Sequence, residues 1–127
     1  MNLNYSQSSG AITKDDGTLV TRGWAGHGNG KNNPTMQDQH DLGPLPRGIY
    51  SVGKWEARHG SLGPIVASLT QTSGDTFGRS AFYIHGPGTN PKKYGQESKG
   101  CIVIPRPGRL AVKALLVGPS DTITVTV

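Results

Sequence analysis

The chain has a single cysteine, Cys101, so no intramolecular disulfide can staple it. Charged residues are scarce at 17% and aromatic residues scarcer at 6%. No run of Lys or Arg marks a nucleic-acid-binding arm. The few aromatics leave little surface on which bases could stack. Both shortages argue against a nucleic-acid partner. Long apolar runs are also missing. The longest, residues 110–117, is broken by Lys113 and falls far short of the roughly 20 residues that cross a bilayer, so no membrane insertion is expected. Met1-Asn2-Leu3-Asn4-Tyr5 has neither the basic nor the apolar region of a signal peptide.

Glycine and proline are abundant. The 127 residues include 19 Gly and 9 Pro, more than a fifth of the chain, where about 12% is ordinary. That surplus predicts a turn-rich fold and excludes a helical bundle or coiled coil. The length predicts one domain over residues 1–127. Thirteen basic residues against eight acidic ones leave a charge of +5 and a pI near 9.6. Such a chain is attracted to anionic polymers, the bacterial wall among them.

Alternation of apolar and polar residues predicts strands over residues 5–7, 11–14, 18–22, 49–53, 64–70, 80–85, 101–104 and 121–127. One helix is predicted over 109–117, opened by Pro107-Gly108 and stopped by Gly118-Pro119. Residues 23–41 are rich in Gly, Asn, Gln and His and lack a hydrophobic period. They read as one long loop, expected beside the functional site. The fold class is therefore mainly β, with one short helix.

A lone cysteine is either a small buried hydrophobe or a nucleophile with a histidine nearby. The surroundings of Cys101 favour the nucleophile. His85 ends a predicted strand sixteen residues earlier, and Cys101 opens the next one after Ser98-Lys99-Gly100. A loop of that length can return the thiol to the imidazole. A thiol needs such a base, because the thiolate is the strong nucleophile. A protonated imidazole beside it is expected to hold the thiol below its free value of about 8.5. Gly100 allows close approach of a substrate carbonyl, and the Gly100 and Cys101 amides are candidate oxyanion donors. Ser98 either bonds within the site or shapes the turn. Tyr83 shares the predicted face of His85, and Arg79 precedes that strand as a candidate carboxylate ligand. His27, His40 and His59 lack ligand spacing, so no metal is expected.

Ile84-His85-Gly86, a spacer, and Ser98-Lys99-Gly100-Cys101-Ile102 resemble the signature of the L,D-transpeptidase (YkuD-like) enzymes. Gly43-Pro44-Leu45-Pro46-Arg47-Gly48-Ile49-Tyr50 and Arg79-Ser80-Ala81-Phe82-Tyr83-Ile84-His85-Gly86 are similar to segments of one branch, the Tlde1 family of type VI secretion effectors. Two positions depart from the usual pattern. Lys99 stands where His is usual, and Val103 where a substrate-binding Arg is usual; Arg79 or Arg106 could supply that charge.

The resemblance implies an L,D-transpeptidase-like β-sandwich or barrel that acts on murein stem tetrapeptides without a cofactor. Cys101 and His85 would be catalytic, with Ser98 and Gly100 in the same machinery and Gly86, Arg79 and Tyr83 toward the substrate. Water would give L,D-carboxypeptidase activity, and an amine would give transpeptidation or D-amino-acid exchange. It further implies a monomeric toxin exported by a specialised secretion system. Such a toxin would act in a target's periplasm and be matched by a cognate immunity protein. The competing reading is a non-catalytic peptidoglycan-binding module, for which positive charge would suffice.

Overall fold

The computed structural model describes residues 1–127. Strict alternation builds its first layer. In β1 (Asn2–Ser6) Leu3 and Tyr5 are fully buried, and in β10 (Thr122–Thr126) Ile123 and Val125 are buried. The two strands pair in parallel, Leu3 beside Ile123 and Tyr5 beside Val125, so four apolar side chains leave one face together. β2 (Ala11–Lys14) returns antiparallel on β1, and β3 (Leu19–Arg22) on β2.

On the other side of β10 lies β5 (Gly48–Val52), followed by the long β7 (Pro64–Gly74), with β6 (Glu56–Arg58) hairpinned onto β7. β8 (Phe82–His85) pairs antiparallel with β7 and parallel with β9 (Ile102–Val103), and β4 (Trp24–Ala25) closes the row on β9. The order is β3-β2-β1-β10-β5-β7-β8-β9-β4. Its two ends, β3 and β4, are joined by one residue, Gly23. The sheet therefore curls into a nearly closed barrel. A side chain at Gly23 would collide with the Val103 carbonyl, so this seam needs glycine. A core of 17 residues, including Tyr50, Phe82, Ile84, Ile102 and Ile123, fills the interior. Each fully buried aliphatic side chain there is worth roughly 1.5–3 kcal/mol.

The one helix, α1 (Arg106–Leu115), lies against β3. It starts three residues earlier than the apolar period indicated, because Pro107 is tolerated in a first turn, where an amide hydrogen would be unpaired anyway. Residues 23–41 are more structured than their composition suggested. They contain β4 and two short 3-10 turns, Gly28–Gly30 and Pro34–Met36. β4 and β6 were invisible in sequence because two or three residues carry no period. No helix is long and apolar enough to cross a membrane.

Candidate active site

The parallel pairing of β8 with β9 assembles the site. Ile84 stands beside Ile102 and His85 beside Val103. Facing residues of neighbouring strands share a side, and sides alternate along each strand. Ile84 and Ile102 enter the core. Tyr83, His85, Val103 and the residue before Ile102, Cys101, take the opposite side. By this alternation the strand-end histidine and the lone cysteine fall on one face of the pair, one register step apart.

His85 is 4% exposed. Its Nδ1 donates to the Gly86 carbonyl at 2.8 Å. A carbonyl only accepts, so in the neutral ring the hydrogen sits on Nδ1 and Nε2 keeps its lone pair. Burial holds the imidazole below its ordinary value of 6.5. The Gly86 bond works against that shift, the nearby Arg109 guanidinium adds to it, and Glu97 opposes it. His85 is therefore a neutral base at pH 7.

Cys101 is buried, with Sγ pointing at the Ala81 carbonyl, 3.6 Å away. Burial pushes its thiol up to about 11. The Tyr83 and Cys101 amides and the Arg79 charge only partly oppose this. This corrects the expectation of a depressed thiol. The resting pair is thiol and neutral imidazole, because the pocket desolvates both charged forms.

Ser98 is fully buried and organises the turn before Cys101. Its Oγ donates to the Cys101 carbonyl at 2.5 Å and accepts from the Gly100 amide at 3.1 Å and the Gly26 amide at 2.8 Å. The Gly100 amide is thereby spent, which leaves the Cys101 amide as the one candidate oxyanion donor of the expected pair. Gly100 instead serves by its backbone, at φ 129°, a conformation strained for other residues. A Cβ there would also press on the Phe82 ring and the Arg79 guanidinium.

Arg79, 6% exposed, was expected to meet a substrate carboxylate. Its Nη1 donates to the carbonyls of Gln37 at 2.6 Å and Pro44 at 2.7 Å. Its Nη2 donates to Gly43 at 2.9 Å and Lys99 at 3.2 Å. All four Nη hydrogens are used, so the guanidinium staples the 37–44 segment to the Cys101 turn. Residues 26–28 add three more ties: Gly26 to Ser98 Oγ, His27 Nδ1 to the Ser98 carbonyl at 2.8 Å, and the Gly28 amide to Gln96 Oε1 at 2.8 Å. The segment read as a long loop therefore lies against the cysteine turn.

Tyr83 stacks on His59, ring centres 4.9 Å apart. His59 also bonds Glu56 at 2.7 Å, and His40 bonds the Phe77 carbonyl at 2.9 Å. These histidines have protein partners, and no three His, Cys, Asp or Glu side chains converge as a metal site. Gly86 lacks a side chain where the Arg109 guanidinium packs.

Sequence reasoning missed two groups. Glu97 has both carboxylate oxygens buried without a partner and lies near His85. Arg109, 4% exposed, donates from Nη1 to the Ile104 carbonyl at 2.8 Å while its Nε has no partner. The only available signal for Arg109 was a charged residue on the apolar side of a short helix.

Among solved structures, an L,D-transpeptidase from Mycobacterium smegmatis superposes with a TM-score of 0.57 at 16% identity. The match covers 99% of this chain and 58% of that one. The helical cell shape determining protein Pgp2 from Campylobacter jejuni gives 0.62 at 15% identity, covering 98% and 46%. The chain thus spans about half the length of these proteins and shares their fold. No curated protein matches it in sequence. A family match does run from residue 20 to residue 124, covering the barrel from β3 to β10 with His85, Cys101 and their supports, and on it the chain belongs to the Tlde1 domain family.

Proposed function

We propose that this chain is a cysteine-dependent enzyme that modifies peptidoglycan stem tetrapeptides. One observation carries the reading. His85 and Cys101 share a face of the β8–β9 pair, and the Gly86 carbonyl leaves Nε2 of His85 free to accept a proton. The fold shared with an L,D-transpeptidase supports it.

Since thiol and imidazole both rest neutral, the proton moves during attack and not before it. Sγ of Cys101 bonds to the carbonyl carbon at the L-centre of the stem's diaminopimelate residue, which carries the terminal D-Ala, as Nε2 of His85 takes the thiol proton. The Cys101 amide faces the developing oxyanion. The C–N bond to the terminal D-Ala then breaks, and His85 returns the proton to the leaving amine. A thioester remains. Water releases the shortened stem as an acid, and an amine releases it as a new amide; both restore the thiol. No cofactor enters these steps. Ser98, Gly100 and Arg79 are positioning residues that hold the cysteine turn, and Tyr83 and Gly86 border the substrate.

The Tlde1 match also supports a delivery role, a toxin exported by a specialised secretion system; action in a target's periplasm, a monomeric state and a cognate immunity protein at home complete the proposal. The alternative is a wall-binding module without turnover. Mass spectrometry of purified muropeptides decides between the two. Tetrapeptides should lose one D-Ala with the native chain and stay intact with Cys101→Ala. Intact tetrapeptides with both proteins, together with binding to whole sacculi, would select the binding module.

A further inference from the structure

Beside the catalytic face lies a second feature that the reaction above does not use. A cavity of about 560 Å³ opens on the His85 side of the site, lined by Gly86, Tyr94, Arg58, Arg106 and Arg109 among others, and no acidic residue lines it. That volume suits a small-molecule group. The charge it concentrates is unbalanced. The two ion pairs of the chain join Met1 to Asp121 and His59 to Glu56, and neither includes an arginine. Arg109 is buried there with its Nε unpartnered, and Arg106 is near enough to depress the proton affinity of its guanidinium further. Buried cationic donors without an anion are costly unless a ligand supplies one. Glu97 is the nearest candidate counter-charge to His85, but it belongs to the cysteine turn and does not line the cavity.

We infer that the Arg58–Arg106–Arg109 cavity binds the terminal carboxylate of the residue that leaves during the reaction. The inference rests on the proposed thioester chemistry, and position supports it. His85 protonates the leaving amine, so the leaving residue lies on the His85 side. In an α-amino acid one carbon separates that amine from its carboxylate. The next residue, Gly86, lines the cavity and is in contact range of the Arg109 guanidinium. A guanidinium cluster is well matched to a carboxylate, because its planar donors can bind both oxygens.

A stem peptide has a second carboxylate source, the side chain of a diaminopimelate residue. Calorimetric titration of Cys101→Ala protein separates the two. Three ligands are compared: a diaminopimelate tetrapeptide with a free terminus, the same peptide as a C-terminal carboxamide, and a lysine-type tetrapeptide with a free terminus. The carboxamide should bind about tenfold more weakly, and the lysine-type peptide should match the first. Adding Arg58→Gln and Arg106→Gln, both at exposed positions, should lower free-acid binding toward the carboxamide level and leave carboxamide binding unchanged. Arg109→Gln should do the same if circular dichroism shows it folded; if it does not fold, the exposed pair decides.

Equal binding of acid and carboxamide overturns the inference, as does indifference to the arginine pair. A loss confined to the lysine-type peptide reassigns the cavity to the side-chain carboxylate and also overturns it. Carboxylate preference without any turnover by the native chain overturns the catalytic reading and leaves the cavity standing as a site for the peptide's terminal carboxylate. Turnover without preference does the reverse, and no binding of any peptide overturns both.

Discussion

Two buried arginines flank the face that carries His85 and Cys101, and they do opposite work. Arg79, on the cysteine side, gives all four Nη hydrogens to backbone carbonyls. Arg109, on the histidine side, gives one bond to Ile104 and keeps Nε unpaired beside an open cavity. Residue type and burial are the same, so neither distinguishes structure from recognition. Hydrogen-bond accounting does. A side chain whose donors are spent fixes a loop, and one whose donors are unspent can still hold a ligand. The cysteine side of the site is thus a sewn framework, and the histidine side carries spare capacity.

Four measurements can break or sharpen that contrast. The largest effect is expected at the hinge between the two sides. His85→Ala should lower kcat on tetrapeptides by about 10²–10⁴-fold, the usual worth of a general base, with an unchanged circular dichroism spectrum. A tenfold drop or less would remove His85 from the proton path.

The sewn side should also shield Cys101. With the thiol at about 11 instead of about 8.5, thiolate at pH 8 is more than a hundredfold scarcer than for a free cysteine. Iodoacetamide should therefore react slowly with Cys101, at a rate that climbs through pH 10. A rate that levels off below pH 7 would mean a preformed ion pair.

Arg79→Ala should destabilise the fold by about 3 kcal/mol in urea unfolding, because buried bonds to a charged donor are lost together. Arg79→Lys should recover little of this, since an ammonium cannot reach four carbonyls arranged for a fork. Full stability of either variant would deny the staple.

The smallest effect belongs to the 23–41 segment. Replacing residues 27–36 with a Gly/Ser linker removes the His27 and Gly28 ties to the cysteine turn. The expected result is a several-fold fall in kcat/KM, with the pH profile unshifted. A fall within twofold, about 0.4 kcal/mol, would leave the segment without a catalytic role.

That pH profile carries its own sign. His85 has a folded-state value below 6.5, so its neutral form favours the fold. This contribution is complete above pH 6.5 and is lost as the pH falls through the lower folded value. Activity that needs neutral His85 should persist below pH 6.5 for the same reason.

Much of the candidate site is legible in the sequence. His85 before Gly86 and Cys101 after Gly100 are local patterns, and short-range chemistry explains them: a strand end, a turn that needs positive φ, a thiol with a base in reach. The strands with several alternating residues were legible too. What escaped were strands too short to show a period, such as Trp24–Ala25 and Glu56–Arg58, and the employment of polar groups. Nothing near Arg79 in sequence announces Gln37, Gly43 and Pro44 as partners, because they lie 35 to 42 residues away.

Composition and spacing by themselves determined a turn-rich, mainly β chain, positively charged, and singled out one thiol and one histidine as a candidate pair. Those properties depend on residue identity and near neighbours, and folding does not alter them. Only the tertiary structure decided that the thiol would be held up near 11, that Arg79 would be spent on carbonyls and that Arg109 would not. Each of these depends on how much water is excluded and on which distant backbone groups arrive, and both follow from the pairing of strands far apart in the chain.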